Sequence, residues 1–193
     1  MANISGTYNY RTYRGLDDGV SDTLAGTSSA DTIRGYGGRD WIYAGGGDDT
    51  IDGGRGNDMI EGGRGMDWMT GGSGDDTYRF KLGDSGPSYA SADVITDFQT
   101  GHDILQFSMP GLHGTAANTR EFAFTGDGTY SGTYNIALEY ARQDIGGKVQ
   151  FAFYTDGHDG YLFADLDHNG IVDTGIELRG LTSTGDFSYL DIR

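Results

Sequence analysis

The 193-residue chain has no cysteine, which excludes disulfides, thiolate metal sites and thiol nucleophiles. Proline is nearly as scarce, with 2 residues, and long apolar runs are missing. No stretch approaches the 18 or so residues that span a membrane, and the opening MANISGTYNYR lacks the apolar core of a classical signal peptide. Basic residues number 13 against 29 acidic ones, a net charge of −16. So few cations argue against non-specific binding to nucleic acid or to an anionic membrane face, since both need a basic footprint. Glutamate is the scarce acid: the 29 divide into 25 Asp and 4 Glu. Asp competes with helix hydrogen bonds and favours turns, caps and metal sites, so the charge belongs to loops and cations are the natural partner.

What the chain has in excess is glycine, 35 residues, together with 13 Tyr and 9 Phe. Apolar residues make up 36%, low for a globular chain, but the aromatics argue against simple disorder. Residues 26 to 79 divide into nines: GTSSADTIR, GYGGRDWIY, AGGGDDTID, GGRGNDMIE, GGRGMDWMT and GGSGDDTYR. The sixth place is always Asp, at Asp31, Asp40, Asp49, Asp58, Asp67 and Asp76. The eighth is always large and apolar, at Ile33, Ile42, Ile51, Ile60, Met69 and Tyr78. Six Asp in one phase would arise from composition alone with a chance of roughly 10⁻⁵ to 10⁻⁶, so the period is real. Asp22 and Leu24 hold the same phase one step earlier, in a degenerate first repeat over 17 to 25.

Each nonapeptide has two halves. Its Gly-rich first six positions can take positive φ and form a tight turn that aims carbonyls and the Asp carboxylate at one point; the glycines concerned are Gly37, Gly45, Gly47, Gly54, Gly56, Gly63, Gly65, Gly72 and Gly74. The last three positions make a short strand whose eighth residue faces inward. Two nonapeptides then complete one turn, and residue i stacks on residue i+18 at a strand spacing of about 4.8 Å. The expected fold is all-β: a right-handed parallel β-roll of nonapeptide repeats over 17 to 80, with an N-terminal arm over 1 to 16 and a C-terminal β-rich cap over 81 to 193. The arm, with Tyr8, Tyr10 and Tyr13, reads as a strand covering the first turn.

Stacking sorts the aspartates into two columns: Asp31, Asp49 and Asp67; and Asp22, Asp40, Asp58 and Asp76. Like charges about 5 Å apart repel, and few apolar residues point inward to offset that and the ordering of so much glycine. Counter-ions are needed. Several Ca²⁺ ions fit, because Ca²⁺ takes six to eight hard oxygens and accepts carboxylate mixed with carbonyl; Mg²⁺ holds its water, and zinc prefers His or Cys.

The repeats resemble the RTX family, whose GGxGxDxUx motif binds Ca²⁺ in a β-roll. GGRGNDMIE, GGRGMDWMT and GGSGDDTYR match it in full, AGGGDDTID lacks one glycine, and GYGGRDWIY carries Tyr36 at the second place. The following segment, RFKLGDSGPSYASADVITDFQTGHDILQFS, is similar to the part after the roll in serralysin-type secreted proteases and in the repeat modules of mannuronan epimerases. The shared elements are Asp93, Ile95, Asp97, Phe98, Gly101 and Asp103 with a shifted Leu105, and the resemblance implies metal roles for Asp97 and Asp103. Further on, ADLDHNGIVDTGIEL is similar to serralysin tails. Asp165, Asp167, Asn169 and Asp173 stand there at places 1, 3, 5 and 9 of a calcium-loop pattern with Gly170 at its bend, although Ile176 occupies the place of the bidentate Glu. A solvated Asp-rich hairpin is the alternative.

From 121 to 181 the runs EFAF, NIALEYA, KVQFAFY, GYLFADL and TGIELRGL alternate with turn residues and are expected to form a small antiparallel β unit packed on the roll. The end, LTSTGDFSYLDIR, resembles an uncleaved type I secretion signal, with Asp186 and Phe187 fitting and Asp191 and Arg193 departing from it. That resemblance implies a type I secretion apparatus as partner and a secreted, extracellular protein. No HExxH, G-x-S-x-G or P-loop is present, so a non-catalytic module is expected. Outward seventh-place residues include Trp41 and Trp68, expected to be covered by the arm or the C-terminal unit. The alternative is stacking on a sugar, with Arg39, Arg55 and Arg64 meeting an anionic polysaccharide, as the epimerase-like resemblance implies.

Overall fold

A computed structural model describes residues 11–14, 19–108, 119–123, 130–145, 150–183 and 187–192. The seventh to ninth places of each nonapeptide extend into strands, and the eighth place is buried in every one. Strands β1 (Arg11–Arg14), β3 (Asp31–Arg34), β5 (Thr50–Arg55) and β7 (Trp68–Ser73) form one wall of a roll, and β2 (Thr23–Ala25), β4 (Trp41–Gly46), β6 (Met59–Arg64) and β8 (Thr77–Phe80) form the other. All pairings within these walls are parallel, and from β2 onward the register is i to i+18, as in Thr32 opposite Thr50 and Ile42 opposite Ile60. Alternation puts Ile33, Ile42, Ile51, Ile60, Met69 and Tyr78 between the walls, each at most 1% exposed. Burying an aliphatic side chain of that size contributes about 1.5–3 kcal/mol. β1 pairs with β3 through Arg11 opposite Asp31, so the arm adds a strand to the first turn; Tyr8 and Tyr10 lie outside the described residues.

Two strands after the repeats continue the walls. β9 (Asp93–Ile95) pairs with β7, and β10 (Ile104–Phe107) pairs with β8, both parallel. Both begin at or just after an Asp and carry an apolar residue two places from it, Asp93 with Ile95 and Asp103 with Leu105, so they continue the strand pattern of the repeats without glycine turns before them.

The C-terminal unit departs from expectation in two ways. It is continuous with the first wall: β9 pairs with β14 (Thr174–Arg179), which leads through β13 (Asp159–Ala164) and β12 (Phe151–Thr155) to β11 (Thr119–Ala123), giving a nine-stranded sheet. Within it β12–β13 and β13–β14 are antiparallel, but β9–β14 and β11–β12 are parallel. The second departure is NIALEYA, which lies in a helix, α1 (Tyr130–Asp144). Tyr134, Ala137, Leu138 and Ala141 are buried at helical spacing, and they form a cluster with Ala152, Tyr154, Tyr161 and Phe163 of the sheet. Ala, Leu and Glu are helix formers, so both propensity and the 3.6-residue period overrode the short apolar run.

The inward face of the same sheet joins the roll core. Ile176 and Leu178 of β14 belong with Phe98, Phe153 and Phe187 in a single apolar cluster that runs into the roll. Phe187 stacks on Phe153 with ring centroids 4.4 Å apart, and Ile192 bridges to Leu105. Asp191 is buried and accepts hydrogen bonds from Thr100 Oγ1 (2.6 Å), Gly101 N (3.0 Å) and Ser188 N (2.8 Å). Asp186 lies outside the described residues.

Candidate metal centre

From the nonapeptide over 35–43 onward, the turns between the walls are built on two positions of positive φ, the second and the fourth. Gly45, Gly54, Gly63 and Gly72 occupy the second, and Gly47, Gly56, Gly65 and Gly74 the fourth. In the turn over 35–40 the second place is Tyr36, held at φ 72°, and the fourth is Gly38 at φ 121°. Gly37 therefore does not carry the positive-φ role that the other selected glycines share; it is the third residue and bridges to Arg55, and Gly38 takes the equivalent place. Turns stack so closely that a Cβ on Gly54 would run into the Tyr36 carbonyl oxygen, and one on Gly63 into that of Gly45. The carbonyls thus line up eighteen residues apart along each edge.

The sixth-place aspartates link these turns. Asp40 Oδ1 accepts the N–H of Asp22 (2.7 Å), Asp49 that of Asp31 (2.7 Å), Asp58 that of Asp40 (2.8 Å), Asp67 that of Asp49 (2.9 Å) and Asp76 that of Asp58 (2.8 Å). Beyond the repeats Asp93 accepts from Asp67 (2.9 Å) and Asp103 from Asp76 (2.9 Å). Each column is thus a ladder in which one carboxylate oxygen of a residue is the acceptor for the backbone of the rung before it.

The second oxygen is a different matter. Oδ2 of Asp49, Asp58, Asp67 and Asp93 is buried and has no hydrogen-bond donor among the described residues. It lies against the first residue of its own turn where that is glycine: a Cβ on Gly53 or Gly62 would run into Oδ2 of Asp58 or Asp67. An ionised oxygen in that position costs several kcal/mol unless a cation or donor meets it. Electrostatics agree. Burial, reinforced by the neighbouring rung, pushes Asp49, Asp67 and Asp76 up to about 7 and Asp58 up to about 6 from an ordinary 3.8. Asp93 is raised well above its ordinary value by burial first and by Asp67 second. These residues fit a resident cation, and a donor set made only of carboxylate and carbonyl oxygen suits Ca²⁺ over zinc or a soft metal.

Other sequence-selected residues sit differently. At Asp31 the roles of the oxygens are changed: Oδ2 accepts from Thr27 N (2.6 Å) and Thr27 Oγ1 (2.9 Å), and buried Oδ1 is the one without a donor. Asp97 spends both oxygens on glycine N–H groups, Gly71 at 3.0 Å and Gly72 at 2.8 Å, and also accepts from Tyr78 Oη. Asp103 completes its pair through Gln99 N at 2.8 Å. Neither offers the bare oxygen that the ladder interior does. Asp93 was missed by sequence reasoning, although its Asp-x-Ile spacing repeats the sixth and eighth places and could have revealed it.

In the C-terminal sheet, carboxylate oxygens of Asp165, Asp167 and Asp173 lie within 4.8 Å of one another. Asn169 N donates to Asp165 Oδ1 (3.1 Å) and Gly170 N to Asp165 Oδ2 (2.8 Å), and His168 and Gly170 take positive φ at the bend between β13 and β14. The tryptophans separate. Trp41 is 44% exposed on the outer face of the second wall, contrary to the expected cover. Trp68 is half-buried, with the Arg179 guanidinium carbon 4.3 Å from its ring centroid. Arg39, Arg55 and Arg64 are exposed in the turns, Arg39 and Arg55 along one edge and Arg64 along the other.

The fold and its ladder define a calcium-type β-roll of nonapeptide repeats. Residues 18–51 and 43–78 match the RTX calcium-binding nonapeptide repeat, so the roll segment is an array of RTX repeats. Among solved structures the chain is similar to the AlgE6R3 subunit of the Azotobacter vinelandii mannuronan C5-epimerase, at 23% identity over 91% of this chain and 79% of that one, with a TM-score of 0.42. It is also similar to the AlgE6R2 subunit of the same epimerase, at 28% identity over 93% of this chain and 90% of that one, with a TM-score of 0.40. No curated protein matches the chain.

Proposed function

We propose that the chain is a non-catalytic calcium-binding module whose folding is driven by cooperative Ca²⁺ binding outside the cell. The observation that carries this reading is the set of buried Oδ2 atoms at Asp49, Asp58 and Asp67 to which no group donates among the described residues. Asp40, Asp49, Asp58, Asp67 and Asp76, with the turn carbonyls stacked beside them, hold the ions. Bound Ca²⁺ supplies the positive charge that lets the ladder carboxylates ionise without repelling one another. Asp165, Asp167, Asn169 and Asp173 are a further calcium loop, supported by three convergent carboxylates. Affinities of extracellular calcium modules run about 10⁻⁴ to 10⁻³ M, so cytosolic Ca²⁺ leaves such a chain unfolded and extracellular Ca²⁺ folds it. An unfolded chain suits passage through a type I secretion apparatus, with the C-terminal segment as its signal. At tenfold saturation each site contributes about 1.4 kcal/mol, and five sites would supply about 7, comparable with the stability of a whole domain.

Circular dichroism during Ca²⁺ titration of the chelator-treated chain tests this. A sigmoidal gain of β signal below about 10 mM is expected; a chain equally folded and equally heat-resistant in chelator overturns it. A second reading, an accessory module that binds anionic polysaccharide, is favoured by one observation, the exposure of Trp41 on an open sheet face near the cationic Arg39. A shift of tryptophan emission with alginate-type oligomers, lost in Trp41→Ala, is its expected signature.

A further inference from the structure

We infer that the metal ladder does not end with the repeats but crosses into the C-terminal unit, where Asp93 and Asp67 share a cation at the joint between the two. The inference rests on the calcium reading of the roll and extends it to a residue outside the nonapeptides.

Asp93 stands 26 residues after Asp67, yet its Oδ1 accepts the Asp67 N–H at 2.9 Å just as each interior rung does for its predecessor eighteen residues back. Its Oδ2 is buried without a donor, and so is that of Asp67; the two residues are 1% and 0% exposed. Its backbone is held from the other side: Asp93 N donates to Ser85 Oγ (2.8 Å), and Ser85 Oγ donates to Gly175 O of β14 (2.7 Å). No basic side chain pairs with Asp67 or Asp93 among the described residues.

The counterpart on the other edge shows what a rung looks like when the protein satisfies it alone. Asp103 also begins a post-repeat strand and also accepts a backbone N–H from the last repeat, but its second oxygen is filled by Gln99 N. The same chain thus closes one ladder with its own N–H and leaves the other open at Asp93. The open one lies on β9, the strand that pairs with β7 of the roll on one side and β14 of the C-terminal sheet on the other. A cation there ties docking of the whole C-terminal sheet to metal binding.

The test compares Asp93→Asn with Asp103→Asn in the full chain, each also carrying Trp41→Phe so that Trp68, packed under Arg179 of β14, reports on sheet docking. Asn keeps the Oδ1 acceptor and removes the anionic oxygen. Calorimetric Ca²⁺ titration is expected to find one ion fewer in Asp93→Asn and an unchanged number in Asp103→Asn, and the Trp68 emission change is expected to need higher Ca²⁺ only in the former. Equal stoichiometry and superimposable Trp68 titrations overturn the inference. Should Asp93→Asn fail to fold, the wild-type side chains decide by carbon-13 NMR of labelled Asp: the Asp93 carboxyl shift must follow Ca²⁺ saturation, and one that stays put in the loaded protein overturns the inference. A wild-type chain that binds no Ca²⁺ at all removes the calcium reading itself, which is a different failure from a roll that loads normally without Asp93.

Discussion

Asp58 Oδ1 accepts the N–H of Asp40 at 2.8 Å while Asp58 Oδ2, equally buried, accepts nothing. One carboxylate therefore has a hydrogen-bonded half and an unpartnered half, and an amide in its place should separate them. Asp58→Asn keeps the rung and loses the charge. On the calcium reading proposed above, losing the charge of one of the five proposed ligands is expected to raise the Ca²⁺ midpoint of folding several-fold and to lower its cooperativity, as read by circular dichroism.

Acid should act in opposite directions on the two forms of the protein. Folding of the metal-free roll raises the carboxyls of Asp49, Asp67 and Asp76 to about 7 and Asp58 to about 6, from 3.8. A raised pKa contributes stability that is fully present below pH 4 and is lost as pH climbs through 6 to 7. In chelator, the chain is expected to hold more β structure at pH 5 than at pH 8. Ca²⁺ must displace those protons, so its affinity is expected to rise over the same interval, with proton release visible as a buffer-dependent calorimetric heat.

Two glycines of neighbouring turns should respond unequally to alanine. Gly63 has φ 96° and faces the carbonyl of Gly45, whereas Gly46 has ordinary φ and a Cβ there would lie 3.6 Å from the Arg64 carbonyl oxygen. Gly63→Ala is expected to cost about 1–3 kcal/mol or more and Gly46→Ala less than about 1. Thermal denaturation at fixed saturating Ca²⁺ measures both.

Tyr134 of α1 and Gly175 of β14 form a size-matched pair. A Cβ at Gly175 would run into the Tyr134 hydroxyl, and that hydroxyl otherwise reaches the Pro87 carbonyl at 3.3 Å. Gly175→Ala is expected to destabilise by about 1–3 kcal/mol, and Tyr134→Phe to recover a substantial part of it in a double-mutant cycle. Additive losses would deny the pairing.

Phe187 stacks on Phe153, 4.4 Å between centroids, and both are buried. Phe187→Ala is expected to cost about 3–5 kcal/mol at saturating Ca²⁺ and to leave the Ca²⁺ requirement of the roll in place. Faster proteolysis in the 187–192 region than in the parent chain is the expected first change.

The roll was legible because its signal repeats: Asp and an apolar residue two places later, six times in phase, fix both the wall positions and the eighteen-residue register. The same spacing in Asp93-Val-Ile and Asp103-Ile-Leu was there to be read, but without glycines before them the two strands looked like a separate cap. Glycine placement was less legible. Tyr36 takes a left-handed backbone that sequence assigns to glycine, so the choice between Gly37 and Gly38 could not be made from residue types alone. In the C-terminal unit each element occurs once, and no period arbitrates: NIALEYA fits a strand and a helix, and tertiary packing on Tyr161 and Phe163 decides for the helix. Which carboxylate oxygens lack a donor depends on backbone N–H groups such as those of Thr27 and Gln99, which no side-chain pattern announces.

Because every interior rung repeats the same bonds to the rungs eighteen residues before and after it, the register places no limit on length. Inserting two more nonapeptides between Gly53 and Gly71 would add one storey with its own pair of sixth-place aspartates and leave both ends unchanged. Tandem duplication is thus a neutral move for this architecture, and the number of ions it carries is a quantity that genetic drift can count up or down.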